Sequence, residues 1–134
     1  MSVLVLDASA VVEFLVGGDA LADRVRAYTL HRRLAAPHAV DLECASVLRG
    51  LVRGGKLPEP EAERALGLLG RMQLRRYDHA PLLPRIWGLR HNMWPYDASY
   101  VALAETLGAE LVTVDAKFAG TPHIRCRVSN LRFS

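Results

Sequence analysis

The run Val3-Leu4-Val5-Leu6, stopped at once by Asp7, constrains this chain more than any other feature. Four consecutive apolar residues, two of them β-branched, suit a strand buried on both faces, and such a strand needs a covering layer above and below. Leu111-Val112-Thr113-Val114 repeats the pattern and again ends on an acid, Asp115. Between these runs the apolar residues recur at helical spacing. Val40, Cys44, Val47, Leu48 and Leu51 form one stripe, and Tyr100, Leu103, Ala104 and Leu107 another. Strands alternating with helices predict an α/β chain whose mostly parallel sheet is covered on both faces.

Local signals place the remaining elements. Helices are expected over 8–16, over 19–33 with Asp19 as N-cap, over 39–53 before Gly54-Gly55, and over 58–73 with Pro58 in its first turn. The face of this last helix is Ala62, Ala65, Leu66, Leu69 and Met72. Short strands are expected at 34–36 and 74–77, and a helix over 81–91. The Met93-Trp94-Pro95 break precedes a helix that opens near Tyr96 or Asp97 and closes at Gly108. A strand over 110–114, a short helix around Lys117 and a final strand over 124–128 complete the reading.

The length of 134 residues fits one domain spanning 1–134, able to bury a core without disulfide staples. Cys44 and Cys126 stand apart, with no CxxC spacing, and read as small buried hydrophobes in a reducing compartment. The N-terminus lacks a signal-peptide pattern, and no apolar run approaches the ~20 residues of a membrane span. A cytoplasmic protein with no membrane association is expected. The formal charge of +3 is carried almost entirely by arginine, which suits phosphate but does not by itself identify a nucleic-acid partner. The five histidines show neither HxH nor HExxH spacing and are read as surface or packing residues. Trp87, Trp94 and Tyr100 are assigned to core packing, with base stacking as the alternative.

The acids carry the chemistry. In a parallel sheet, ligands bind beyond the carboxyl ends of the strands, and Asp7 and Asp115 should both lie there. Asp97 sits at a helix start. Because that helix precedes the strand ending at Asp115, its N-terminus is expected at the opposite edge, leaving the 93–96 loop to bring it round. Glu43 sits on the edge of an apolar stripe. Its i±3 and i±4 neighbours are Ala39, Val40, Ser46 and Val47, so any cation that neutralises it must come from a distance. Carboxylates about 4 Å apart repel by roughly 4 kcal/mol per pair at an effective dielectric of 20. Either their pKa values rise or a divalent cation neutralises them, and oxygen-only ligands favour Mg²⁺ or Mn²⁺. Hydrolysis of a phosphodiester is the chemistry such a site would serve. Each acid also has a plainer reading: Asp7 and Asp115 as helix caps, Asp97 as a helix-terminal charge, and Glu43 as a side chain reaching solvent.

Four segments together resemble the PIN-domain family, in particular the VapC-type toxins of bacterial toxin–antitoxin pairs. They are Val3-Leu4-Val5-Leu6-Asp7-Ala8-Ser9-Ala10, Glu43-Cys44-Ala45-Ser46-Val47-Leu48-Arg49, Tyr96-Asp97-Ala98-Ser99-Tyr100-Val101-Ala102-Leu103-Ala104 and Leu111-Val112-Thr113-Val114-Asp115-Ala116-Lys117-Phe118. The resemblance implies a three-layer α/β/α sandwich and a pocket that gathers Asp7, Glu43, Asp97 and Asp115 around Mg²⁺ or Mn²⁺. It further implies endoribonuclease activity, a cognate antitoxin and a homodimer, for which the helices at 19–33 and 58–73 are candidate contacts. Ser9 and Thr113 match hydroxyl positions beside the acids and are assigned supporting hydrogen bonds, local backbone capping being the alternative. Arg49, Arg53 and Lys56 are the candidate RNA contacts. Two rival readings stand beside this one. The first is a non-catalytic regulator that binds nucleic acid or an antitoxin. The second is a phosphatase with Asp7 as nucleophile, which wants a second Asp where this chain has Ser9.

Overall fold

The computed structural model describes residues 2–133. Five strands form one sheet: β1 (Val3–Leu6), β2 (Arg33–Pro37), β3 (Leu74–Tyr77), β4 (Glu110–Thr113) and β5 (Val128–Asn130). Their order is β3-β2-β1-β4-β5, and every pairing is parallel. Six helices connect them: α1 (Ala8–Val16), α2 (Ala20–Thr29), α3 (Ala39–Arg53), α4 (Glu59–Arg71), α5 (Leu83–Gly88) and α6 (Pro95–Leu107). Helices α1 to α4 pack on one another, whereas α5 pairs with α6, and α6 lies across β1, β2 and β4. Right-handed crossovers explain this division. The chain steps outward from β1 to β3, then returns to add β4 and β5 on the other side, and that reversal moves α5 and α6 to the other face. The result is a three-layer α/β/α sandwich, as expected.

The apolar strands are as buried as their composition demands. Leu4, Val5, Leu6, Leu111 and Val112 are at most 1% exposed, and so are Tyr100, Val101, Ala102 and Leu103 of α6. Helix α6 is buried nearly all round because it covers the centre of the sheet.

Element boundaries depart from expectation where the sheet takes residues for itself. The second helix ends at Thr29 rather than Arg33, because Arg33 pairs with Val3. His31, at φ 62°, turns the chain between them. The last strand is Val128–Asn130 rather than 124–128. Its register is set by Leu111, Val112 and Thr113, while the backbone N–H of Arg125 donates to Glu105 instead of joining the ladder. The 81–91 helix is a 3-10 turn (Ala80–Leu82) leading into the short α5. Trp87 and Trp94 are not core residues: they are 67% and 78% exposed. On the short α5 the inward position belongs to Ile86, and its neighbour Trp87 is turned outward. Val47 and Leu66, assigned to buried stripes, are likewise exposed, at 41% and 42%.

The placement of Asp97 is a correction with a general cause. In an all-parallel sheet each intervening helix runs antiparallel to the strands, so helix N-termini lie at the carboxyl edge. The start of α6 therefore falls beside the ends of β1 and β4, and the 93–96 loop has no detour to make.

Candidate active site

Strand order reverses between β1 and β4, so the chain leaves these adjacent strands in opposite directions and opens a crevice at their carboxyl ends. Asp7 lies at its centre. It is completely buried, one residue past β1, with its N–H donating to Val112 O of β4. Its side chain both caps α1 and serves the crevice. One oxygen, Oδ1, accepts from Ala10 N at 3.0 Å and from Ser9 Oγ at 2.7 Å, and Oδ2 accepts from Thr113 Oγ1 at 2.7 Å. Thus the capping and site readings of Asp7 are two oxygens of one carboxylate. Ser9 Oγ in turn accepts from Val114 N, and Thr113 Oγ1 from Asp115 N, which locks both hydroxyls in place. Burial still dominates and pushes the Asp7 carboxyl above its ordinary value, although Thr113, Ala10, Lys117 and Ser9 all work against it.

Asp97, in the first turn of α6, and Glu43, just past the first turn of α3, approach from the two covering layers. Sequence reasoning left the distant cation of Glu43 unidentified. The cation standing nearby is Lys117, whose Nζ lies 3.0 Å from Asp97 Oδ1 and 3.6 Å from Asp7 Oδ2 and whose charge acts on Glu43 without a direct contact. Glu43 Oε1 accepts from Tyr100 Oη at 2.5 Å. Burial pushes Glu43 up, with Asp97 and Asp7 adding to the rise against Tyr100 and Lys117. Burial and the Glu43 carboxylate push the Tyr100 phenol far up, so it remains the donor. Neither Lys117 nor Tyr100 was assigned to the site from sequence. Tyr100 lies one helical turn beyond Asp97, and that spacing was the available signal. Lys117 had none stronger than its nearness to Asp115.

Asp115 is at the rim rather than inside. Its side chain is exposed, and its Oδ1 caps the following 3-10 turn by accepting from Lys117 N at 3.1 Å, yet its charge still reaches the Lys117 ammonium. Arg49, Arg53 and Lys56 do not come to the crevice. Helix α3 starts at the carboxyl edge, so Arg49 and Arg53 lie about 9 Å and 15 Å further along its axis than Glu43, and Lys56 lies beyond the helix end. Arg132, which donates from Nε to Val114 O, is a nearer cation and flanks a small cleft with Ser9 and Asp115. A second cleft of about 490 Å³ adjoins Glu43 and is walled by Leu42, Ser46, His79 and the exposed ring of Tyr96.

Among the described residues no three His, Cys, Asp or Glu side chains are gathered around a common ion position. The reason is visible in the contacts: an ammonium already bridges Asp7 and Asp97, and Tyr100 holds an oxygen of Glu43. The donor set nonetheless fits a hard divalent ion. It is made of carboxylate oxygens from separate elements, and a cation already stands among them. Two histidines are held by structural partners: His79 Nε2 accepts from Ala39 N, and His38 pairs with Asp78. Burial pushes the Cys44 thiol up to about 12 and that of Cys126 to about 11, so neither is a ready nucleophile. No helix among the described residues is long and apolar enough to cross a membrane.

Comparison with known proteins places the chain in a family. The family model for the PIN domain matches residues 4–124. The chain is 39% identical over 126 residues to VapC ribonuclease Mb0985 of Mycobacterium bovis, covering 94% of this chain and 96% of that protein. It is 38% identical over 133 residues to ribonuclease VapC1 of Mycobacterium tuberculosis, covering 98% of this chain and all of that one. In three dimensions it is similar to DNA-bound VapBC from Salmonella typhimurium, with a TM-score of 0.69, 15% identity and coverage of 98% of this chain and 99% of that one.

Proposed function

This chain belongs to the PIN-domain family, and from that premise we propose that it is a metal-dependent endoribonuclease, the toxin of a toxin–antitoxin pair, with residues 1–134 forming a single domain. The observation that carries the reading is the meeting of Asp7 and Asp97 on one ammonium, with Glu43 near enough to feel all three charges, at the point where strand order reverses.

Asp7, Glu43 and Asp97, with Asp115 at the rim, would hold Mg²⁺ or Mn²⁺. Such an ion supplies charge neutralisation at phosphorus and a water acidic enough to attack near neutral pH. The protein's part is to position. Ser9, Thr113 and Ala10 N fix both oxygens of Asp7, and Tyr100 fixes one oxygen of Glu43, so both carboxylates are held in a set orientation. The chemistry asks for no side-chain nucleophile, and the Ser9 hydroxyl is placed to hold Asp7 while it accepts from Val114 N. Arg132 is placed to meet a phosphate of the RNA strand, in preference to Arg49, Arg53 and Lys56. Trp94 and Tyr96, exposed just before Asp97, offer flat faces on which bases can stack.

The cognate antitoxin is a separate polypeptide, and a homodimer would use the apolar residues that α2 and α4 leave uncovered, among them Leu66 and Leu68. The cytoplasm is where this activity would meet its RNA and where both free thiols stay reduced. Cleavage of total RNA with and without Mn²⁺, by the native protein and by Asp7→Asn and Asp97→Asn, tests the proposal. Metal-dependent cuts lost in both variants are expected. No cutting by antitoxin-free native protein in any metal would favour a binding-only regulator.

A further inference from the structure

We propose that Lys117 is a built-in counter-ion of the acidic pocket, occupying the cation position in the metal-free protein and displaced from it when a divalent metal binds. The proposal rests on the metal-dependent reading above and names the group that regulates occupancy of that site.

Three observations carry it. First, the ammonium contacts two carboxylates at once, Asp97 at 3.0 Å and Asp7 at 3.6 Å, and feels Asp115 as well; the Phe118 ring lies 5.3 Å from Nζ. Second, the contacted oxygens are the ones a metal needs. A magnesium ion takes carboxylate oxygens at about 2.0–2.1 Å, so one held by Asp7 and Asp97 would stand close beside the ammonium, and the two positive charges repel. Third, an exit exists. Lys117 is carried on a 3-10 turn beyond β4, and its side chain is 28% exposed, whereas Asp7 beneath it is sealed.

The residue type is informative too. Of the seventeen lysines and arginines, only Lys56 and Lys117 are lysines. A chain that otherwise uses arginine has a lysine where the cation must be compact, able to be encircled by oxygens and free to swing on a flexible stem. A planar guanidinium prefers to lock side-on to one carboxylate. In this arrangement the pocket folds without metal because the repulsion among its acids is already relieved, and the metal affinity is set by competition with the chain's own ammonium.

The test uses the purified full chain without RNA or antitoxin. With an amine-acylating reagent and peptide mass spectrometry, Lys117 should be protected in EDTA and acylated about tenfold faster at saturating Mg²⁺, with exposed Lys56 as the unchanged internal standard. By calorimetry, Lys117→Met should bind Mn²⁺ about tenfold more tightly than the native chain, while Lys117→Arg, which keeps the charge, should not. In EDTA the Met variant should melt about 5 °C lower, and saturating Mn²⁺ should erase the deficit. Should Lys117→Met fail to fold without metal, the labelling of native protein and the Arg variant still decide. Metal binding that leaves Lys117 protected, or that is no tighter in the Met variant, overturns the proposal alone. No binding of Mg²⁺ or Mn²⁺ to native or variant protein removes the metal-dependent reading and this proposal together.

Discussion

The two ends of α6 hold acids under opposite conditions. At its last turn, Glu105 is only 13% exposed, and its charge is fully matched: Arg85 donates to both carboxylate oxygens, at 2.6 and 3.2 Å, and Arg125 N donates to one of them at 2.8 Å. Burial works to raise Glu105, but Arg85 and Arg125 outweigh it and hold the carboxyl below its ordinary value. At the first turn, Asp97 lies near Asp7 and Glu43, and one lysine contacts Asp7 and Asp97 while Glu43 feels its charge only from a distance. There burial wins, and both Asp7 and Glu43 are pushed up. A carboxylate given its own cation fastens the fold; carboxylates left short of positive charge make a place for another one. A cleft of about 850 Å³, larger than the one beside Glu43, lies beside the well-matched Glu105, so the proposed site is not picked out by size.

The comparison breaks most sharply on activity. Asp7→Asn should lower metal-dependent RNA cleavage by about 10³-fold, a loss of the order expected when a group acting on the reacting centre is removed. Glu105→Gln should leave the cleavage rate within about twofold. Equal losses in both variants would mean that the two ends of α6 are not functionally distinct.

Stability should show the reverse ranking. Glu105→Gln takes the ion pair from Arg85, leaving it the His123 carbonyl, and should cost about 1–3 kcal/mol, or roughly 4–10 °C in Tm. Asp7→Asn, measured in EDTA near neutral pH, should not lower Tm, because it removes a buried charge that its surroundings disfavour. Thermal melts of the two variants beside the native chain check both.

The pH dependence separates the ends by sign. Because the Asp7 pKa is raised, its contribution to stability is complete below its ordinary 3.8 and is lost as pH rises through the higher folded value. Because the Glu105 pKa is lowered, its contribution is present above the ordinary 4.5 and is lost as pH falls through the lower folded value. In EDTA, Tm recorded from about pH 3 to pH 8 should lose the first slope in Asp7→Asn and the second in Glu105→Gln. Interchanged slopes would reverse the assignment of matched and unmatched ends.

The smallest effect is expected at Tyr100→Phe, which leaves the ring in the core and removes only the hydrogen bond to Glu43. Cleavage should fall about tenfold, with KM nearly unchanged, as for loss of one bond to a charged partner. A wild-type rate would mean that Glu43 needs no help in keeping its orientation.

Much of this was legible in the residues. Two apolar runs ended by acids required a doubly covered parallel sheet, and Asp7 and Asp115 had to stand at its carboxyl edge. Asp97 was legible as well once helix direction is followed, since a helix between parallel strands must begin where the strands end. The lateral extent of β5 was not legible, because its register is fixed by β4 and by Glu105 holding the backbone at Arg125. The outward turn of Trp87 was not either: hydrophobicity says that a ring can be buried, not that a short helix has room to bury it.

By itself, then, the sequence determined the layers, the edge at which the acids collect and the family to which the chain belongs, because periodicity and short motifs are local properties. Only the tertiary structure decided which cation meets which acid. Lys117 is 110 residues from Asp7 and 20 from Asp97, and its reach to both depends on β4 lying next to β1 and on the turn that follows it. Charge balance in a pocket is a sum over neighbours in space, and no stretch of chain carries that sum.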